Sequence, residues 1–465
     1  MLRKKDLKAG PRLLLRAVFL LMFLLPSANV LSVSLSRAEE TAKYLVLENG
    51  LKVFLMEKRN VPLVNVVAAV DLGSKDETPE TSGIVHVLEH YILFRGTEVR
   101  SGNDVGRDVR RHGAYFNAHT GNDLALFEIS VPEAAADFAL SNQREILFRL
   151  KIMQEELDAE KEIILEEFRQ LEDDPFRYAT ALVYQNLFPG HPYANPLIGD
   201  EEVIRNLSAE KVAEFYGRYF VPANCALAVV GDFSVTDMAD KVRALFGGIQ
   251  GEPPARAKIE PAVPPEKSID LDVEMDVQKA YLVIAVQAPD FNNPEQYSMD
   301  VLTEILGRGI NPLLYSALNR GPRRLIETLS MAYMTHKYGG ALLAFFTLDP
   351  RNLNRVKREA VGYLRKAREG NFSPEDVLGA QQMFAYDRLG SAKNQIKYNA
   401  YRGQEKGLSI AASLAQFMIL REGEAERKFL ENIDRVKSGD LRKTAADYLS
   451  RANYIMVSIL PKKAE

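Results

Sequence analysis

The chain has 465 residues, and its 59 Lys and Arg against 63 Asp and Glu leave a formal net charge of −4. With no basic stripe interleaved with aromatics, this balance excludes nucleic-acid binding as the leading function. A single cysteine, Cys225, excludes an intramolecular disulfide framework, so stability must come from apolar cores.

In chain order, the first segment is a targeting signal. Arg3, Lys4, Lys5, Lys8, Arg12 and Arg16 precede an apolar run from Ala17 to Leu25, too short for a comfortable membrane span. Small residues at Ser36 and Ala38 suit a signal peptidase. Residues 1–38 are therefore predicted to be a cleaved secretory signal peptide, with an uncleaved anchor as the alternative, and the mature protein is expected in a bacterial periplasm or secreted. No later run is long and apolar enough to form a stable membrane span.

The remainder of the chain is too long for one core. Strand-like alternation opens it, at Tyr44–Leu47 and Leu51–Leu55. The stretch from Gly247 to Pro265 is rich in Gly and Pro and reads as a linker. Two units are predicted, 39–248 and 268–465, joined by 249–267. The second opens on strand-like Ala280–Val286; the units end in strands at Ala226–Val230 and Tyr454–Leu460, with helical patterns between. The expected fold class is α+β, a duplicated unit in which each mostly antiparallel sheet is packed with helices.

The chemistry is concentrated in His86-Val87-Leu88-Glu89-His90. Thr81-Ser82-Gly83 offers helix caps, and Ile84, Val85, Val87 and Leu88 give the helix an apolar body. On a helix His86 and His90 share one face, so both imidazoles can bind one metal ion while Glu89, at its edge, reaches a water beside that ion. The order H-x-x-E-H inverts the commoner H-E-x-x-H of zinc peptidases. A zinc site needs a third protein ligand. Residues 157–171 read as an amphipathic helix with Leu157, Ile164, Leu165, Phe168 and Leu171 on its apolar side; Glu160 and Glu167 are two turns apart on nearly one face. One of the two can ligate the metal while the other orients a ligand.

Together these segments resemble the pitrilysin family of zinc metallopeptidases, which includes insulin-degrading enzyme and the mitochondrial processing peptidases. The stretch His86–Thr97 is similar to the family's H-x-L-E-H-x-x-F-x-G-T block. Phe116-Asn117-Ala118-His119-Thr120 with Asp123 is similar to its N-A-x-T-x-x-D strand. His191-Pro192-Tyr193, Pro196 to Gly199 and Val229-Val230-Gly231-Asp232 occur in the family's order. The resemblance spans about residues 43 to 460 and implies a role for each site residue. His86, His90 and Glu167 bind one Zn2+ per chain, Glu89 is the general base, and Glu160 is the supporting carboxylate. Asn117, Ala118 and Thr120 lie on an edge strand that receives an extended peptide substrate by strand addition. The second unit, without H-x-x-E-H, carries no such zinc site.

Relatives also draw an Arg and, seven residues on, a Tyr from the second unit. Here the Arg position holds Asn319, and the nearest Tyr, Tyr333, lies 14 residues on. Arg320, Arg323 and Arg324 are the candidate replacements, and a core role for Tyr333 is the competing reading. The departure fits a dimer, including a heterodimer with a related zinc-less chain. His112, His191 and His336 are not expected to be metal ligands.

Overall fold

The computed structural model describes residues 41–309, 312–320, 322, 324–370, 387–420 and 429–462. The predicted signal peptide and Arg323 lie outside the described residues. Two sheets organise the chain. The first contains β1 (Ala42–Val46), β2 (Lys52–Glu57), β3 (Leu63–Val70), β4 (Tyr115–Thr120), β5 (Ala125–Pro132) and β6 (Cys225–Gly231), in the order β1-β2-β6-β3-β5-β4. The second contains β7 (Ile269–Met275), β8 (Ala280–Ala288), β9 (Thr328–Met334), β10 (Gly340–Leu348) and β11 (Ile455–Pro461), in the order β7-β11-β8-β10-β9. Among the described residues, only β2–β6 and β7–β11 pair parallel; every other strand pairing is antiparallel. Without β1 the two topologies coincide, so the chain is a duplicated α+β unit.

The central strands lack the polar–apolar alternation of a half-solvated sheet. In β3 every residue from Val64 to Val70 is buried. Such a strand must be covered on both faces. Val64, Val66, Ala68 and Val70 face the first core, with Ala139, Leu140, Ile146 and Leu147 of the helix Ala136–Phe148. The other face is covered from the second half. Four further helices position the site and join the halves: α1 (Ile84–Phe94), α2 (Gln154–Glu172), α3 (Pro175–Leu187) and α4 (Gly407–Leu420). Ile410, Ala411, Leu414, Ala415 and Met418 of α4 pack on Val67, Ala69, Leu126, Ala226, Ala228 and Val230 of the first sheet. Reciprocally, Ala179, Val183 and Leu187 of α3 cover Val283, Ala285, Leu343 and Val457 of the second. Each half thus lends a helix to the other's sheet, and each large apolar side chain so buried contributes about 1.5–3 kcal/mol.

Polar contacts reinforce this exchange. The Asp123 carboxylate, in the β4–β5 hairpin, accepts from the Tyr193 hydroxyl at 2.6 Å and from the Lys337 N–H of the second half at 2.9 Å. The Tyr184 hydroxyl of α3 lies 2.8 Å from His336 Nε2. The linker is held as well: Arg256 forms an ion pair with Asp71 at 2.8 Å. Among the described residues, no helix is long and apolar enough to cross a membrane.

Candidate metal centre

The site is built by two helices that cross with their polar residues matched. The helix α1 is buried from Ile84 to Ile92, so its first N–H groups need partners inside the protein. No side chain from the N-cap residue supplies them. Glu77 does, accepting from the N–H of Gly83 at 2.9 Å and of Val85 at 3.0 Å. Burial nevertheless pushes Glu77 up to about 8, against those two donors, which favour its anion. Gly83 precedes the helix at φ 90°, a left-handed conformation that favours glycine, and a Cβ on Gly199 would come within 2.2 Å of the Gly83 Cα. This close approach seats the entry of α1 against the loop after Pro196.

One turn apart, His86 and His90 then project onto α2. Their rings stand 4.7 Å apart and nearly perpendicular. His86 Nε2 lies 3.6 Å from Glu167 Oε2, and His90 Nε2 lies 3.4 Å from Glu167 Oε1. Ligand atoms of the three residues all fall within 4.8 Å of one another. Tetrahedral bonds of about 2.0–2.2 Å place neighbouring ligand atoms roughly 3.3–3.6 Å apart, so the observed spacing accommodates one zinc ion. The unused polar atoms agree. Buried oxygens of Glu89 and Glu167 have no hydrogen-bond partner, a costly condition unless a ligand satisfies them. Both imidazoles turn Nε2 toward Glu167, while each Nδ1 has a polar neighbour nearby but no hydrogen bond. The Ile198 carbonyl meets the His86 ring, and Glu160 Oε2 lies 3.5 Å from His90 Nδ1. Of the two carboxylates left open by spacing, Glu167 faces both rings and Glu160 backs one.

Charge tracks this geometry. Burial drives His86 well below its ordinary value, helped by the neighbouring His90. Burial also opposes charge on His90, but Glu160 and Glu167 outweigh it and raise His90 to about 10. Glu89, buried next to them, is raised by desolvation, while His90 and the Thr120 hydroxyl favour its anion.

The strand β4 ends the first sheet, as expected of the Asn117–Thr120 segment, and among the described residues pairs only with β5. Ala118 and Thr120 are buried, Ala118 in the core shared with α1. Asn117 donates to the Tyr115 hydroxyl at 3.1 Å and lies against His119. His119 is 3.7 Å from Glu128 Oε2; burial opposes its charge, but Glu128 and Glu89 raise it. Three contacts of the site have no signal in the sequence: the pairing of His119 with Glu128 across the hairpin, the Glu77 cap, and the contact of Arg95 with Glu160 at 2.6 Å. Each joins residues with no periodic relation along the chain.

The other singled-out residues lie elsewhere. Tyr333 on β9 is a correction: it is buried in the second core, its hydroxyl donating to the Pro289 carbonyl at 2.6 Å, and so is not offered to a substrate. Asn319 is buried and organises its own loop, accepting from the N–H of Leu325 and Ile326 and donating to the Ile326 carbonyl. Arg320 is exposed, and Arg324 donates to the Asn319 carbonyl. His112 stacks on Phe138 at 4.1 Å, His191 accepts from the Tyr193 N–H, and His336 lies between Tyr184 and Asp123.

Family models match both halves: "Insulinase (Peptidase family M16)" over residues 52–201 and "Peptidase M16 inactive domain" over residues 206–384. The chain belongs to the insulinase family, peptidase family M16. An uncharacterized zinc protease of Bacillus subtilis (strain 168) is 25% identical over 64% of this M16 chain and 69% of its own length. An uncharacterized zinc protease of Rickettsia bellii (strain RML369-C) is 23% identical over 86% of this chain and 93% of its own. The crystal structure of a protease from Helicobacter pylori superposes with a TM-score of 0.81 at 22% identity, over 91% of this chain and 100% of that one, which shows the shared M16 fold. Within this M16 chain, the zinc-type cluster falls wholly inside the half that matches the insulinase model.

Proposed function

We propose that the protein is a zinc-dependent endopeptidase acting on peptides or unfolded segments. The observation that carries this reading is the convergence of His86, His90 and Glu167 on one point, with Glu89 beside them and polar atoms left unsatisfied. A bound zinc ion would supply Lewis acidity, polarising a peptide carbonyl and making water acidic enough to attack near neutral pH. The rest falls to the chain. The open edge of β4 receives an extended peptide through main-chain hydrogen bonds. Glu89 takes the proton of the attacking water as oxygen bonds to the carbonyl carbon. It returns that proton to the amine nitrogen as the C–N bond breaks. Desolvation makes this carboxylate a stronger base than an exposed one. Glu160 holds the His90 ring in place.

Glu89→Gln tests the reading. It should retain zinc and lose cleavage by about 10²–10⁴-fold; equal turnover by variant and wild type across a mixed peptide library would instead favour a non-catalytic scaffold. The structural commitments of Asn319 and Tyr333 support dimeric assembly, including pairing with a related zinc-less chain that supplies the missing clamp. Full turnover by a monodisperse sample of this chain alone would refute the heteromer. Export to a periplasm, with cleavage after Ala38, is part of the same proposal; N-terminal sequencing of the mature protein checks it.

A further inference from the structure

Glu160 has a basic neighbour beside each oxygen, in ion-pair proximity but outside hydrogen-bond geometry. Its Oε2 lies 3.5 Å from His90 Nδ1, and its Oε1 lies 2.6 Å from the Nε of Arg95. The carboxylate is wholly buried, whereas the Arg95 side chain is about a quarter exposed. Arg95 comes immediately after α1, in an extended conformation, with its N–H bonded to the Tyr91 carbonyl. Thus one helix delivers both the imidazole and the cation to the same carboxylate of α2.

We propose that Arg95 is a positioning residue of this centre, fixing Glu160 so that it orients His90 toward the metal. The inference rests on the zinc-peptidase reading above. A buried carboxylate with a single partner 3.5 Å away is free to turn about its last side-chain bond. With its second oxygen beside a guanidinium, that rotation separates an ion pair in a medium where such a pair is strong. Glu160 is then held beside Nδ1, 3.5 Å away, on the side of the ring opposite the Nε2 that faces Glu167. A neighbouring contact keeps the two helices in register: the Tyr91 hydroxyl donates to Glu156 at 2.7 Å and accepts from the Met153 N–H at 2.8 Å. The helix crossing therefore does not depend on Arg95 alone.

The test is zinc affinity by chelator competition on the full chain, for wild type, Arg95→Met, Arg95→Lys, Glu160→Gln and the double variant Arg95→Met/Glu160→Gln. Arg95→Met should weaken zinc binding by about 10–100-fold, as loss of an outer-shell partner does. Arg95→Lys should recover part of the loss. The double variant should bind no more weakly than Glu160→Gln alone, because Arg95 acts through Glu160. Melting of the metal-free proteins separates this from a fold defect, since a merely structural arginine would lower the melting temperature and leave affinity unchanged in the folded fraction. Unchanged affinity in Arg95→Met, or losses that multiply in the double variant, would overturn the inference alone. A wild-type chain that binds no zinc would overturn the peptidase reading with it.

Discussion

Zinc binding should expel a proton, and the structure says from where. In the metal-free site His86 is driven well below 6.5 and is neutral at pH 7, whereas Glu160 and Glu167, overcoming burial, lift His90 to about 10. A metal needs the neutral imidazole. At pH 7, three units below that value, displacing the His90 proton costs about 4 kcal/mol, or roughly a thousandfold in affinity, at 1.36 kcal/mol per unit. Apparent zinc affinity should therefore rise close to tenfold per pH unit between about pH 6.5 and 8.5. The sign is that of a raised imidazole: the proton stabilises the metal-free fold below about 6.5, and the gain disappears as pH passes about 10. Glu89 is also raised, so the cleanest background is Glu89→Gln, in which His90 is the principal source. Calorimetry in buffers of different ionisation enthalpy counts the protons directly; the expected release is about one per zinc at pH 7. A count of zero with a flat affinity profile would show that the two carboxylates do not hold His90 charged.

Two further perturbations address the scaffold. Burial raises Glu77 to about 8, so wild type should lose stability relative to Glu77→Gln as pH climbs from about 5 to 8, because a raised carboxyl stabilises only while protonated; denaturant unfolding of the metal-free proteins at several pH values measures this, and a difference constant over that range would refute it. The helix exchange predicts that the halves unfold together: Leu187→Ala in α3 and Met418→Ala in α4 each remove a buried side chain that covers the opposite sheet, should cost about 2–5 kcal/mol, and should shift one calorimetric transition, whereas two separable transitions with only one displaced would show that the halves fold independently.

The parts legible from sequence are those whose geometry repeats locally. A helix places residues four and seven apart on one face, so His86, His90, Glu160 and Glu167 could be paired before any contact was seen, and the duplicated strand pattern exposed the α+β repeat. Spacing could not decide between Glu160 and Glu167, because both lie on the helix face turned to α1; only the crossing of α1 and α2 shows which carboxylate meets both rings. The central strands carried half of a second message. Their apolar residues on both faces required two covers, yet nothing local to β3 names α4, more than three hundred residues away, as one of them. Arg95 and Glu77 fail the same test for the same reason. An arginine after a helix and a glutamate before it have many solvated uses, and their roles arise only where burial removes water and leaves Glu160 or the N–H groups of Gly83 and Val85 as partners. For Tyr333 spacing left a substrate-clamp and a core role open, and the structure gives the core role, with its ring in the second core and its hydroxyl on the Pro289 carbonyl. The candidate metal cluster was therefore readable because a helix is a local ruler, whereas Arg95 and Glu77 act through contacts that exist only once the helices and loops of the first half have packed together.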